Sequence, residues 1–144
     1  MAIQRMDHVG IVVDDLAAAT AFFVELGLEL QGEGSVEGEW VDRIVGLENV
    51  RADLAMVGAP NGGGRLELVK FHAPSGPGAD RHEAANAPGL RHVSFEVDDL
   101  DAALARVRAH GAELVGEVES GGGYRLCYVR GPAGIIVELA ERLG

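Results

Sequence analysis

The sequence has only one cysteine, Cys127. An intrachain disulfide is therefore excluded, and so is a zinc site of the zinc-finger type, which needs several cysteines. No apolar run approaches the roughly 18 residues needed to span a bilayer, and the first residues lack the apolar core of a signal peptide. We therefore expect a cytoplasmic protein with no membrane segment.

Basic residues are also scarce. Twelve lysines and arginines stand against 23 acidic residues, giving a net charge of −11. Because phosphate backbones repel such a chain and no basic cluster is present, we expect no nucleic-acid partner. The 144 residues, 47% of them hydrophobic, are enough for one compact domain with a buried core. The sequence predicts a single domain at 1–144.

A duplicated segment organises this chain. The stretch from Asp7 to Glu33 aligns without a gap to the stretch from Arg91 to Glu117, at a constant offset of 84 residues, with 14 of 27 positions identical. Ordinary residue frequencies would give about two matches. We therefore divide the domain into a first module at 1–72, a linker at 73–89 rich in proline and glycine, and a second module at 90–144.

Each module carries the local signals of a βαβββ unit. Residues rich in β-branched and aromatic types predict strands at His8–Val13 and His92–Val97. Apolar residues at helical spacing follow, preceded by aspartates suited to N-capping and ended by Gly27 and Gly111. A second strand begins near Glu29 and near Glu113, and the later strands are predicted at Arg51–Val57, Arg65–Phe71, Tyr124–Arg130 and Ile135–Ala140.

The first module holds an extra segment, Glu39 to Leu47, which contains Trp40 and other apolar residues. Its pattern predicts a short amphipathic helix inserted between strands. Such a helix either forms a lid over a functional pocket or covers an open sheet face, and the sequence leaves both alternatives open.

Two histidines and two glutamates recur in the modules. Side chains alternate along a strand, so His8 and His92 lie on the sheet face away from the predicted helices. Glu67 and Glu138 each interrupt an apolar strand, where a carboxylate needs a counter-charge or a metal because its desolvation is costly. One such residue alone is usually structural, but symmetric recurrence indicates a metal centre. His72, His82 and His110 have no repeat partners and are expected to be solvated.

Several motifs are similar to those of a known superfamily. They are the Asp-His-Val-Gly-Ile start, the Leu66-Glu67-Leu68 strand, the repeated Arg-His-Val-Ser-Phe-Glu-Val-Asp-Asp-Leu, the Tyr124 to Val129 strand, and Gly131-Pro132-Ala133-Gly134 before Val137-Glu138-Leu139. On these motifs the whole chain resembles the vicinal oxygen chelate superfamily, which includes glyoxalase I, methylmalonyl-CoA epimerase, extradiol dioxygenases and bleomycin-resistance proteins. The Gly131-Pro132-Ala133-Gly134 turn lacks two acidic residues that are usual at this turn in that family.

The resemblance implies an α+β fold of two tandem βαβββ modules, whose curved mixed sheets surround a metal-binding cavity with helices on the outer face. It also implies a homodimer that acts on a small-molecule substrate. The family's four metal positions map onto His8, Glu67, His92 and Glu138. Two nitrogen and two oxygen donors suit Ni²⁺, Co²⁺, Zn²⁺, Mn²⁺ or Fe²⁺ and leave positions open for substrate. In this family the site forms either within one chain or across a dimer.

For activity, the resemblance implies a glyoxalase I-like lyase or isomerase that moves a proton next to a carbonyl through a metal-stabilised enediolate. Glu138 or Glu67 would be its base. An epimerase is an alternative, although epimerases usually carry Gln at the Glu67 position. Asp53 lies near where those enzymes place a base, or else faces water on an edge strand.

Two further classes also stay open. In one, the chain is a non-catalytic protein that sequesters a hydrophobic natural product, with Trp40 in its lid. In the other, it is a metal-dependent thiol transferase or dioxygenase. Arg125 either meets an anionic substrate group or pairs with a neighbouring acid on the sheet.

Overall fold

The computed structural model describes residues 2–78 and 82–144. It divides into two compact units, Met1–Ala79 and Asp80–Gly144. Each unit contains a mixed sheet with a helix packed on it, so the predicted α+β class is confirmed. None of the helices in the described ranges is both long and apolar enough to cross a membrane.

The first unit is a four-stranded open sheet with two helices. Its strand order is β1-β4-β3-β2, with β1 parallel to β4 and the other neighbours antiparallel. The elements run β1 (Val9–Val12), α1 (Leu16–Leu26), β2 (Glu29–Glu37), α2 (Glu39–Val45), β3 (Arg51–Gly58) and β4 (Arg65–Ala73).

The second unit repeats this plan with five strands. Its order is β5-β9-β8-β6, with β7 paired to β8 and with β5 parallel to β9. The elements run β5 (His92–Val97), α3 (Leu100–Ala109), β6 (Glu113–Leu114), β7 (Glu119–Gly121), β8 (Tyr124–Arg130), a 3₁₀ turn (Pro132–Gly134) and β9 (Ile136–Arg142).

The helix signals of the repeat are confirmed in both units. The carboxylate of Asp15 accepts a hydrogen bond from the backbone N–H of Ala18 at 2.9 Å. Asp99 accepts the equivalent bond from Ala102 at 3.0 Å. At the end of α1 the chain turns through Gly27 with a φ of 126°, a value that is strained for residues with a Cβ.

The inserted helix α2 is the predicted short helix, and it is anchored by Val41. That side chain is only 5% exposed and packs in a cluster with Val50, Ala52 and Val69. Val69 lies two residues from Glu67 in β4, so both point to the same sheet face. The inner side of α2 therefore covers part of the face that carries Glu67.

Candidate metal centre

The first His–Glu pair lies at the start of two parallel strands. His8 directly precedes β1, and Glu67 lies in β4 opposite Gly10. The Nε2 atom of His8 is 3.8 Å from Oε1 of Glu67. Both side chains are partly exposed, with 26% of Glu67 accessible. The side chain of Glu67 therefore lies next to His8, on the sheet face where strand alternation places that histidine.

The second pair has the same arrangement in its own unit. His92 begins β5, and Glu138 lies in the parallel strand β9 opposite Ser94. The Nε2 atom of His92 is 4.0 Å from Oε1 of Glu138, whose side chain is 21% exposed. Each unit thus presents one imidazole and one carboxylate at the same end of a parallel strand pair.

Strand register explains why the two pairs are equivalent. The histidines are 84 positions apart (92 − 8) and the glutamates 71 (138 − 67), so sequence spacing alone does not align them. In each sheet, however, the glutamate pairs with the residue two positions after the histidine. The duplication has therefore kept the side-chain pair while the intervening loops and helices changed.

The two donors of each pair are close enough for one ion to bind both after a small approach. Two ligands that each lie about 2.1 Å from one ion are separated by roughly 3.0 Å at a right angle and roughly 3.4 Å at a tetrahedral angle. The observed separations of 3.8 Å and 4.0 Å are a few tenths of an ångström wider than these values. Over residues 2–78 and 82–144, no three His, Cys, Asp or Glu side chains are grouped closely enough to hold an ion. Each unit by itself therefore offers two ligands.

An acid that sequence analysis did not single out contacts His8. The Asp7 carboxylate lies 2.7 Å from Nδ1 of His8 and also pairs with Arg5 and Arg65. Hydrogen bonds from His8 and then Arg5 lower the pKa of Asp7, because they stabilise its ionised form. The signal was available, since the acid stands directly before the histidine in the Asp-His-Val-Gly-Ile motif.

An aromatic ring lies beside the second pair. Tyr128 in β8 pairs in register with Glu138, and its ring centroid is 5.1 Å from that of His92. In the first unit the matching position, opposite Glu67, is Met56. The environments of the two pairs therefore differ, and this difference follows from residues outside the aligned part of the repeat.

Asp53 does not lie on the sheet face that carries Glu67. Met56 pairs with Glu67, and Asp53 is three positions away along β3, so the two carboxylates point to opposite sheet faces. Asp53 accepts hydrogen bonds from Ser35 at 2.6 Å and His72 at 2.7 Å, and the bond from Ser35 is the larger cause of its lowered pKa. It lines a cleft of about 820 Å³ between α1 and strands β2 and β3.

One of two expectations is corrected here. His72 is exposed to solvent, as expected, and it also contacts Asp53. The interpretation of Asp53 as an edge-strand residue is wrong, since β3 lies between β4 and β2 inside the sheet. The strand order, which single-strand patterns do not reveal, is the reason for this difference.

The remaining candidates are surface residues. Trp40 on α2 is 58% exposed. Arg125 donates a hydrogen bond to Asp101 at 2.9 Å, and this bond lowers the pKa of Asp101. The predicted pairing of Arg125 with an acid is therefore observed, although Asp101 lies on α3 rather than on the sheet.

Comparisons with known proteins agree with this architecture. A family model described as the Glyoxalase/Bleomycin resistance protein/Dioxygenase superfamily matches residues 5–139. The crystal structure of a glyoxalase family protein from Bacillus cereus is 46% identical, with a TM-score of 0.93, and the match covers 100% of this chain and 99% of that one.

Two curated proteins are also similar. YaeR of Escherichia coli K12 is 30% identical over 144 residues, covering 99% of both chains. An ethylmalonyl-CoA/methylmalonyl-CoA epimerase from Cereibacter sphaeroides is 30% identical over 118 residues, which is 81% of this chain and 78% of that protein.

Proposed function

The chain belongs to the Glyoxalase/Bleomycin resistance protein/Dioxygenase superfamily, and we propose that it is a metal-dependent lyase or isomerase acting on a small molecule. The proposed reaction moves a proton next to a carbonyl group. One observation carries this proposal: both units present a histidine and a glutamate at equivalent register positions, with separations of 3.8 Å and 4.0 Å.

We propose that His8, Glu67, His92 and Glu138 are the metal ligands. Superfamily members commonly use a divalent metal, and the two imidazoles and two carboxylates suit Ni²⁺, Co²⁺, Zn²⁺, Mn²⁺ or Fe²⁺. When bound, such an ion acts as a Lewis acid that lowers the cost of negative charge on carbonyl oxygens. Superfamily proteins also commonly form dimers, and we propose a homodimer.

The proton is moved by a carboxylate of the chain itself. We assign Glu138 as the base that takes the proton from carbon and returns it. It is partly buried beside Tyr128, so the substrate can reach the carboxylate while much of its surface is shielded from water. Glu67 has the same register position in the first unit and is the second candidate for this role.

An epimerase that returns the proton to the other face of the same carbon is the second candidate function. The Cereibacter sphaeroides relative supports it, and the same glutamates would serve. Asp53 is a poor base for this reaction, because it points away from the face that carries Glu67 and is already bonded to Ser35 and His72.

Exchange of substrate protons with deuterium from solvent tests the proposal. The metal-free protein, reloaded in turn with each of the five metals, is given thiol hemithioacetals of methylglyoxal, methylmalonyl thioester and a panel of α-hydroxy and 2-methyl carbonyl compounds. We expect metal-dependent exchange with at least one of them, and hemithioacetal turnover separates the lyase from the epimerase. Tight stoichiometric binding of a hydrophobic compound, with no exchange under any metal, would instead support the sequestering function.

A further inference from the structure

The first unit contains an ionic network around His8 that the proposed reaction does not use. The Oδ2 atom of Asp7 is 2.7 Å from Nδ1 of His8. Its other oxygen, Oδ1, lies 2.9 Å from Nη2 of Arg5 and 2.8 Å from Nη2 of Arg65. Arg65 also donates from Nε to the backbone carbonyl of Asp7 at 3.3 Å. Arg65 thus holds both the side chain and the backbone of Asp7.

This network links back to the strand that carries the glutamate. Arg65 stands two residues before Glu67 in β4. An ionised carboxylate only accepts hydrogen bonds, so its contact with Nδ1 places the ring proton on that nitrogen. The lone pair of a neutral ring is then on Nε2, the atom that lies 3.8 Å from Glu67.

The second unit has different residues at the matching positions. The repeat counterpart of Asp7 is Arg91, whose side chain has no hydrogen-bond acceptor. The residue two before Glu138, matching Arg65, is the buried Ile136. His92 instead packs against the ring of Tyr128. The duplication has therefore kept the His–Glu pair and changed what orients its imidazole.

We propose that Asp7 is a positioning residue that fixes the ring of His8 with Nε2 free to bind a metal, and that Arg65 holds Asp7 in place. This inference rests on the proposed metal site and deepens it. It makes the two modules unequal, since the first supplies the ligand whose orientation is set by a charged partner. Carboxylates that orient metal-binding histidines are typically worth 10- to 100-fold in metal affinity.

The tautomer of His8 is the first measurement. Long-range ¹H–¹⁵N NMR of the metal-free protein, at a pH well above the ordinary histidine pKa, distinguishes a proton on Nδ1 from one on Nε2. We expect His8 to carry it on Nδ1 in the wild-type protein and to become a mixture in Asp7→Ala. Asp14→Ala, which changes an exposed aspartate of the same module, is the matched control and should leave the ring unchanged. A proton on Nε2 in the wild type, or no change in Asp7→Ala, would overturn the inference.

Metal affinity is the second measurement. Ni²⁺ and Zn²⁺ are titrated into the metal-free wild type and into the Asp7→Ala, Asp7→Asn, Arg65→Met and Asp14→Ala variants. We expect Asp7→Ala to weaken binding by about 10- to 100-fold. Asp7→Asn should weaken it less, because the amide oxygen still accepts a hydrogen bond. Arg65→Met should weaken metal binding by an amount between those of wild type and Asp7→Ala. If Asp7→Ala fails to fold, Arg65→Met still tests the inference. Unchanged affinity in both Asp7→Ala and Arg65→Met contradicts the inference. If the tautomer depends on Asp7 but the wild type binds none of Ni²⁺, Co²⁺, Zn²⁺, Mn²⁺ and Fe²⁺, the orienting role of Asp7 stands and the proposed function fails.

Discussion

The imidazole of His92 lies 4.0 Å from the carboxylate of Glu138, almost the same separation as the 3.8 Å between His8 and Glu67. In each unit the two residues come from parallel neighbouring strands with the same register. Parallel pairing fixes this relation through backbone hydrogen bonds, so it persists although the glutamate is 13 residues closer to its histidine in the second module (84 − 71).

Replacing Glu138 by Gln should separate its proposed role as base from its proposed role as metal ligand. The amide keeps the shape and one oxygen donor but does not accept a proton at neutral pH. We therefore expect turnover to fall by about 10² or more, while metal content falls less. The assay uses whichever substrate shows metal-dependent deuterium exchange. Glu67→Gln is the control, and full activity in Glu138→Gln would move the role of base to Glu67.

Much of the fold could be predicted because its signals are local or repeated. The sequence predicts strand β8 at the observed residues, and it predicts α2 and the two aspartate caps. Each of these depends on neighbouring residues or on side-chain periodicity. The repeat also predicts that both histidines lie on the sheet face away from the first helix of each module. The alignment gives the two histidines the same position in their strands, and side chains alternate between faces along a strand.

The missed features depend on which strands are neighbours. Tyr128 contacts His92 because β8 lies beside β9 and β9 lies beside β5. The sequence of a single strand does not predict this strand order. The Ser35–Asp53–His72 cluster likewise joins β2, β3 and β4. Such contacts arise only when residues distant in sequence are brought together by strand pairing.

The two sides of α2 should respond differently to substitution. Val41→Ala leaves a cavity in a buried cluster, and we expect it to lower the free energy of unfolding by about 1–3 kcal/mol. Trp40→Ala removes an exposed ring and should change the free energy of unfolding by about 0.5 kcal/mol or less. Urea denaturation measures the free energy of unfolding of both variants. Equal losses would show that Trp40 is as structurally important as Val41. Weaker ligand binding in Trp40→Ala at unchanged stability would support the lid.

Asp53 should contribute to the stability of the folded protein and not to metal binding. Its pKa is lowered in the folded protein, so its contribution is present above the ordinary aspartate pKa and is lost as the pH falls through the lowered value. We expect Asp53→Asn to reduce the melting temperature near neutral pH, and the difference from wild type should shrink below about pH 4. Asp14→Asn is the control. A difference that does not vary with pH would exclude this linkage, and loss of metal binding would make Asp53 a site residue.

Mixing two variants that should each lack metal tests the assembly. His8→Ala and His92→Ala each remove one proposed ligand from every site. If a site takes His8 and His92 from different chains, co-refolded heterodimers regain one intact site, so metal binding partly returns. If each site takes all its ligands from one chain, metal binding does not return in the mixture. Sedimentation should show a dimer at tens of micromolar, and a monomer there would contradict the homodimer and remove the shared version of the site.

Metal content is the most direct test of the central claim, that two repeated His–Glu pairs supply the ligands. Protein purified without chelators is analysed by elemental mass spectrometry, alongside His8→Ala, His92→Ala and the control His110→Ala, which changes the exposed histidine directly after α3. We predict about one divalent metal per chain in the wild type and in His110→Ala, and loss of it in the other two, because each removes a ligand bond. Unchanged metal content in His92→Ala would contradict the assignment.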